Sequence, residues 1–272
     1  MVPADQLEGA KQKFDEIITK FSPLEGNLHI TELQPPDQET LRNDVYEAIR
    51  TSRLPCFWYA VHVAGFHRRY IEHKNLIDKA RANRQSHIKP GGHGPLPSSL
   101  HVELFSGLYG NLVAFCEERE QHCLEIEVRT DNVDGPVAKA FGEAANKLLD
   151  FSPTTRTKTG FDTKTKDVVK GSISVSARVS DEFSIAAKVK KLDINCVGEG
   201  DGLVLAADVL ANSLAYLFHH RTDDQCFRAL NTRQAVATHP LAKHLDSFWN
   251  WGNFDLADTF YRHPRDPELA EK

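Results

Sequence analysis

Cysteine is scarce and never paired in this chain. The five cysteines, Cys56, Cys116, Cys123, Cys196 and Cys226, are odd in number, scattered, and free of any C-x-x-C spacing. That excludes a disulfide framework or a cysteine zinc knuckle, and it reads as small buried hydrophobes in a reducing compartment, so a cytoplasmic location is expected. The opening MVPADQLEGAKQKFDEI has no apolar core of a secretory signal. The longest apolar run, Leu203 to Phe218, is broken by Asp208, Asn212 and Ser213 and falls short of a bilayer span, so no membrane partner is expected. Gly91-Gly-His-Gly94 lacks the Lys and Ser/Thr of a phosphate-binding loop, and no dinucleotide fingerprint occurs. Ser106 and Ser213 have no nucleophile elbow around them, and no histidine spacing fits a zinc signature. Internal repeats and low-complexity tracts are absent.

What remains is an ordinary globular composition of 272 residues, 40% hydrophobic and 26% charged, with a formal charge of −5. An acidic whole has no general affinity for nucleic acid, so any basic footprint must be local. Two segments supply one. Residues 66–89 carry Arg68, Arg69, Lys74, Lys79, Arg81, Arg84 and Lys89 against Glu72 and Asp78, a local charge of +5. Residues 151–170 carry five basic residues against Asp162 and Asp167, with six threonines among them, and read as a loop or exposed hairpin. Either segment is a solvated face or a surface that holds phosphates without reading bases; Arg68, Arg69, Lys74, Arg81 and Arg84 are the candidate contacts.

Periodicity predicts helices over about 5–21, 37–52 capped by Asp37, 99–119 capped by Ser99, 136–149, 203–219, and one or two more within 226–260. Alternating or continuous hydrophobicity predicts strands over 28–33, 56–64, 124–130, 172–179 and 189–197. The run Cys56–Ala64 reads as a central strand covered on both faces. Strands and helices alternate through the middle, which implies an α/β domain built around one mixed sheet flanked by helices. It is expected to span 1–220, with a helical C-terminal extension, 221–272, packed on it.

Three acids stand beside apolar sequence. Asp208 lies in a mid-helix run with apolar neighbours on every side, so it needs an arginine, a cage of backbone amides, or a metal. Asp131 follows a strand's C-terminal end, where α/β sheets place ligands, and Asp134 is the better-placed helix cap. Glu32 shares its expected strand face with Leu28 and Ile30. Oxygen ligands from three elements suit Mg2+ or Mn2+, and two such ions would activate a water for phosphodiester cleavage. Glu103, on a helix face with Gly107 and Gly110, is a weaker fourth candidate and reads first as a solvated acid.

The motifs Val2-Pro3, Leu28-His-Ile-Thr-Glu-Leu33, Glu125-Ile-Glu-Val-Arg-Thr-Asp131 and Gly202-Leu-Val-Leu-Ala-Ala-Asp-Val-Leu210 together resemble the family known as domain of unknown function 3800. That family is similar to the ribonuclease H-like superfamily. The resemblance covers about residues 1–220 and implies a ribonuclease H-like fold with a metal-dependent nuclease site, whose acids fall on Glu32, Asp131 and Asp208. The family opens with an Asp-Glu-Ser-Gly strand, and no such sequence occurs here. The expected function is therefore a metal-dependent nuclease or nucleic-acid-binding protein, with a catalytically inactive binding or assembly subunit as the alternative. A start upstream of Met1, strands donated by a second copy or a partner chain, or a rearranged sheet would each account for the missing strands; an upstream start is the preferred expectation.

Overall fold

The computed structural model describes residues 1–21, 28–82, 87–90, 99–150, 153–176, 188–197, 200–222, 225–246 and 256–266. The chain folds as α1 (Leu7–Phe21), α2 (Pro35–Thr51), β1 (Cys56–Phe57), α3 (Val63–Ala82), β2 (Ile88–Pro90), α4 (Leu100–Glu117), β3 (Cys123–Thr130), α5 (Gly135–Leu149), β4 (Thr154–Asp162), β5 (Val168–Val175), β6 (Lys188–Cys196), α6 (Gly202–His219), β7 (Leu245–Asp246) and α7 (Leu256–Phe260). It is a mixed α/β protein with small sheets flanked by helices.

The single mixed sheet does not form. Among the described residues the strands fall into three separate sheets: β1 parallel to β7, β3 parallel to β6, and β2, β4 and β5 antiparallel. The expected central strand Cys56–Ala64 shrinks to two residues for a specific reason. Beyond Phe57 its backbone groups are taken by side chains: Asn231 accepts from the Ala60 N–H at 2.7 Å and donates to its carbonyl at 2.8 Å. Asn111 donates to the Trp58 carbonyl at 2.9 Å. These bonds satisfy the main chain as a neighbouring strand would, so no ladder is needed.

Two cores hold the body. The larger joins Ala10, Phe14 and Ile18 of α1, Leu41, Val45 and Ile49 of α2, and Leu205, Val209, Leu210 and Leu214 of α6. Val236, Leu241 and Leu245 from the C-terminal segment complete it. Among the described residues that segment holds a 3-10 turn at Arg233–Val236, the strand β7 and the five-residue α7, and much of the helix expected over 241–260 lies outside them. The smaller core packs Tyr109 and Val113 of α4 and Ala145 of α5 onto Leu124 of β3, with Phe105 stacked on Phe141 at 4.4 Å. Ser99 caps α4 as expected, accepting from the Val102 N–H. Asp37 does not cap α2, because Gln34 holds that position and Pro35 and Pro36 fill the first turn. At 18 residues α6 is long and apolar enough to cross a membrane by length and composition, contrary to the sequence reading. Its Leu205–Leu214 face lies in the larger core.

Candidate functional site

Of the three acids, Asp131 and Asp208 lie within electrostatic reach of each other. Asp131 follows β3 directly, and its Oδ1 accepts from the Asn132 N–H at 2.6 Å. Asp208 sits on α6. Partial burial raises its carboxyl above the usual range, and the negative charge of Asp131 pushes the same way, against the pull of His29. Asp131 and Asp208 therefore lie close enough to feel each other's charge.

Asp208 itself is exposed, a correction to the buried acid expected from its neighbours. On α6 the buried row is Leu205, Ala206, Val209, Leu210 and Leu214, while Ala207, Asp208, Ala211 and Ala215 face out. Alanine raises hydropathy and favours helix while burying little, so an alanine row can face water and still read as apolar. Glu32 is a second correction. Leu28–Leu33 is no strand: Ile30–Glu32 forms a 3-10 turn, closed by the Glu32 N–H on the His29 carbonyl at 3.0 Å. Leu28 and Ile30 enter the core and Glu32 is exposed. Among the described residues, no three His, Cys, Asp or Glu side chains converge as a metal site would require.

The buried, arginine-paired acid of α6 is Asp201, which the sequence reading missed. Its Oδ1 accepts from the Leu203 and Val204 N–H groups at 2.9 and 3.3 Å, capping the helix. Its Oδ2 accepts from Arg129 of β3 at 2.9 Å. Arg129 also reaches Glu127 at 3.0 Å, and Asp15 of α1 accepts from the Gly202 N–H at 3.1 Å. One network thus ties α1, α6 and the end of β3 beside the Asp131/Asp208 pair. The signal was present in the sequence: an Asp before a Gly that opens an apolar helix is a cap.

The two basic segments are brought together. β2 pairs with the far end of β4, Ile88 opposite Asp162 and Lys89 opposite Phe161. The His87 carbonyl accepts from the Thr163 N–H at 2.8 Å, and His87 Nε2 lies 3.7 Å from Asp162. At the turn, Asp162 Oδ1 accepts from the Lys164 N–H at 2.8 Å, and Lys166 takes a positive φ of 59°. Those backbone bonds hold the Asp162 carboxyl below its usual range. The turn thus fixes how Lys164 and Lys166 are presented.

Of the expected phosphate contacts, Lys74 is exposed on α3. Arg68 and Arg69 lean on Glu72 at 3.6 and 3.4 Å, and Arg69 also lies over the Phe260 ring. The Arg81 side chain and all of Arg84 lie outside the described residues. Glu103 is not simply solvated: it accepts from Tyr59 at 3.3 Å and from Tyr261, whose phenol burial pushes well up. Gly107 lies one turn along, where the Tyr59 ring leaves no room for a Cβ. Glu103 is thus a tie between α4 and the C-terminal segment.

No family model, curated protein or solved structure matches the chain.

Proposed function

We propose that this protein binds nucleic acid through the basic arm made by α3, β2 and the β4–β5 hairpin. The carrying observation is the β2–β4 pairing, which sets Ile88–Pro90, at the end of one basic segment, against the turn end of a basic hairpin within an acidic chain. Clustered cations neutralise phosphates and release counterions, an affinity independent of sequence. Cys56, Cys116, Cys123 and Cys196 carry free thiols, in keeping with a reducing, cytoplasmic setting. The test is binding of a labelled oligonucleotide across a salt series. Affinity should fall with salt, and replacing Lys164, Lys166 and Lys170 by Ala should flatten the slope by roughly 0.9 per lost contact on a duplex. A flat response in the wild type would refute the reading.

A second reading is the ribonuclease H-like one, with Mg2+- or Mn2+-dependent cleavage at Asp131 and Asp208 and Glu32 as the third acid. One observation favours it: the Asp208 carboxyl is raised, by partial burial first and by the charge of Asp131 last, and a divalent cation held by both acids would favour its ionised form. Two carboxylates beside His29 fall short of the donor set such an ion takes, and the separate sheets depart from that fold. No cleavage step follows from this pair, so the non-catalytic binding or assembly role leads. Incubating a labelled oligonucleotide with protein and Mg2+ or Mn2+ decides between them: cleavage lost in Asp208→Asn restores the nuclease reading.

A further inference from the structure

Strand alternation divides the β4–β5 hairpin into two unlike faces. Register places Arg156 opposite Ile173 and Lys158 opposite Gly171 on one face, and Thr157 opposite Ser172 on the other. Thr155 and Ser174 continue the hydroxyl face, their oxygens 2.8 Å apart. Residues 155–159 of β4 and 170–175 of β5 are all exposed, with Ile173 at 64%. Beyond the three β4 residues that β2 pairs, the described sheet is a two-stranded ribbon exposed on both faces, and its exposed β-branched side chains are not explained by stability.

We infer that the ribbon enters the major groove of B-form duplex DNA with its Arg156/Lys158/Ile173 face inward. This rests on the nucleic-acid reading above and names the ligand. Charge complementarity supplies the occupant: residues 153–176 hold five cations against Asp162 and Asp167. A two-stranded ribbon fits the major groove, where cations meet guanine O6 and N7 and apolar side chains meet thymine methyls. The part of β4 that pairs with β5 alone, Thr154 to Thr159, extends about 20 Å, enough to lie along the groove. A single strand would need aromatic platforms, and the hairpin carries one aromatic, Phe161. Duplex RNA has a major groove too deep and narrow for side chains to read. Gly171 fits this use: a Cβ there would meet nothing within 4 Å, so packing does not demand glycine. Its bare backbone keeps the cationic face low beside Lys158.

The experiment measures binding of the full chain to a labelled DNA duplex about two helical turns long, the matching single strand, and the matching RNA duplex. The DNA duplex should bind about tenfold tighter than either alternative. Arg156→Ala with Lys158→Ala should weaken it about fivefold or more, while Thr157→Val with Ser172→Ala stays within about twofold. Gly171→Val should weaken duplex binding while leaving thermal stability unchanged or higher, an outcome a structural glycine would not give. Equal or tighter binding of the single strand or the RNA duplex, with the salt slope intact, overturns the groove inference and leaves the basic arm standing. Loss of binding in the hydroxyl-face variant alone also overturns it. No binding of any probe at low salt overturns both readings.

Discussion

His239 Nε2 lies 2.9 Å from the hydroxyl of Ser213, inside the larger core. The pair looks like a catalytic dyad, but its hydrogen bonds run the wrong way. The Leu241 N–H donates to His239 Nδ1 at 3.1 Å, so the neutral ring carries its proton on Nε2 and donates to the serine. Ser213 in turn donates to the Leu210 carbonyl at 2.8 Å, and Tyr46 bonds to the same hydroxyl. The histidine therefore locks the C-terminal segment to α6 and α2 rather than activating a nucleophile.

Burial lowers His239 from 6.5 to about 4. Unfolded histidine titrates near the higher value, so unfolding takes up a proton between the two. Stability is full above about pH 6.5 and is lost as pH falls toward 4, by up to about 3 kcal/mol. Urea midpoints across this range should show the decline. In His239→Gln the wild type's extra slope between pH 6.5 and 5 should vanish, at the cost of lower stability at pH 7. An unchanged slope would assign the acid sensitivity elsewhere.

Two glycines should respond in opposite directions. A Cβ on Gly202 would stand 2.5 Å from the Phe14 carbonyl carbon and 2.7 Å from the Asp15 nitrogen, backbone atoms that cannot step aside. Gly202→Ala should therefore destabilise by about 2 kcal/mol or more, through forced separation of α1 and α6. Gly9, in α1, has nothing within 4 Å of that position. Gly9→Ala should stabilise by about 0.5–1 kcal/mol through helix propensity and a stiffer unfolded chain. Denaturant unfolding of both variants checks the pair.

Asp201 carries two roles on one carboxylate, and substitutions separate them. Asp201→Asn keeps an oxygen for the α6 cap and loses the charge facing Arg129, for an expected cost of about 1 kcal/mol. Asp201→Ala loses both and leaves a half-buried guanidinium with only Glu127, for about 2–3 kcal/mol. Equal effects in the two variants would mean that the cap contributes nothing.

Local signals were readable in the sequence and tertiary substitutions were not. α1, α4, α5, β3 and β6 are written in short-range periodicity and capping, and each lies within a few residues of its expected place. The failures at Leu28–Leu33 and Cys56–Ala64 share a cause. Both are apolar and extended enough to pass for strands, yet Ile30 is buried by a single turn and Ala60 is held by the Asn231 side chain from 171 residues away. No local pattern carries that information. Asp208 failed differently, because its alanine neighbours counted as apolar without being buried, while Asp201 was overlooked in a glycine-rich turn.

The Asp131/Asp208 pair gives the last test, and it separates a carboxyl raised by partial burial first and by Asp131 repulsion last from metal binding. With the Asp208 carboxyl raised, the folded state holds its proton to higher pH than the unfolded chain. Its ionisation therefore opposes folding once the pH exceeds its folded pKa, and it costs nothing below the ordinary aspartate range near 3.8. Asp208→Asn should raise Tm at pH 7 by a small amount, small because the side chain is exposed, and the gain should disappear as pH falls below 4. A cation shared by the two acids would relieve the same repulsion. Millimolar Mg2+ or Mn2+ should then raise the wild-type Tm and leave Asp208→Asn unmoved, since binding to the folded state alone stabilises it by mass action. A lower Tm for Asp208→Asn at pH 7 refutes the raised Asp208 carboxyl. A stabilised variant with no response of the wild type to either ion keeps the raised carboxyl and removes the metal, and with it the nuclease reading.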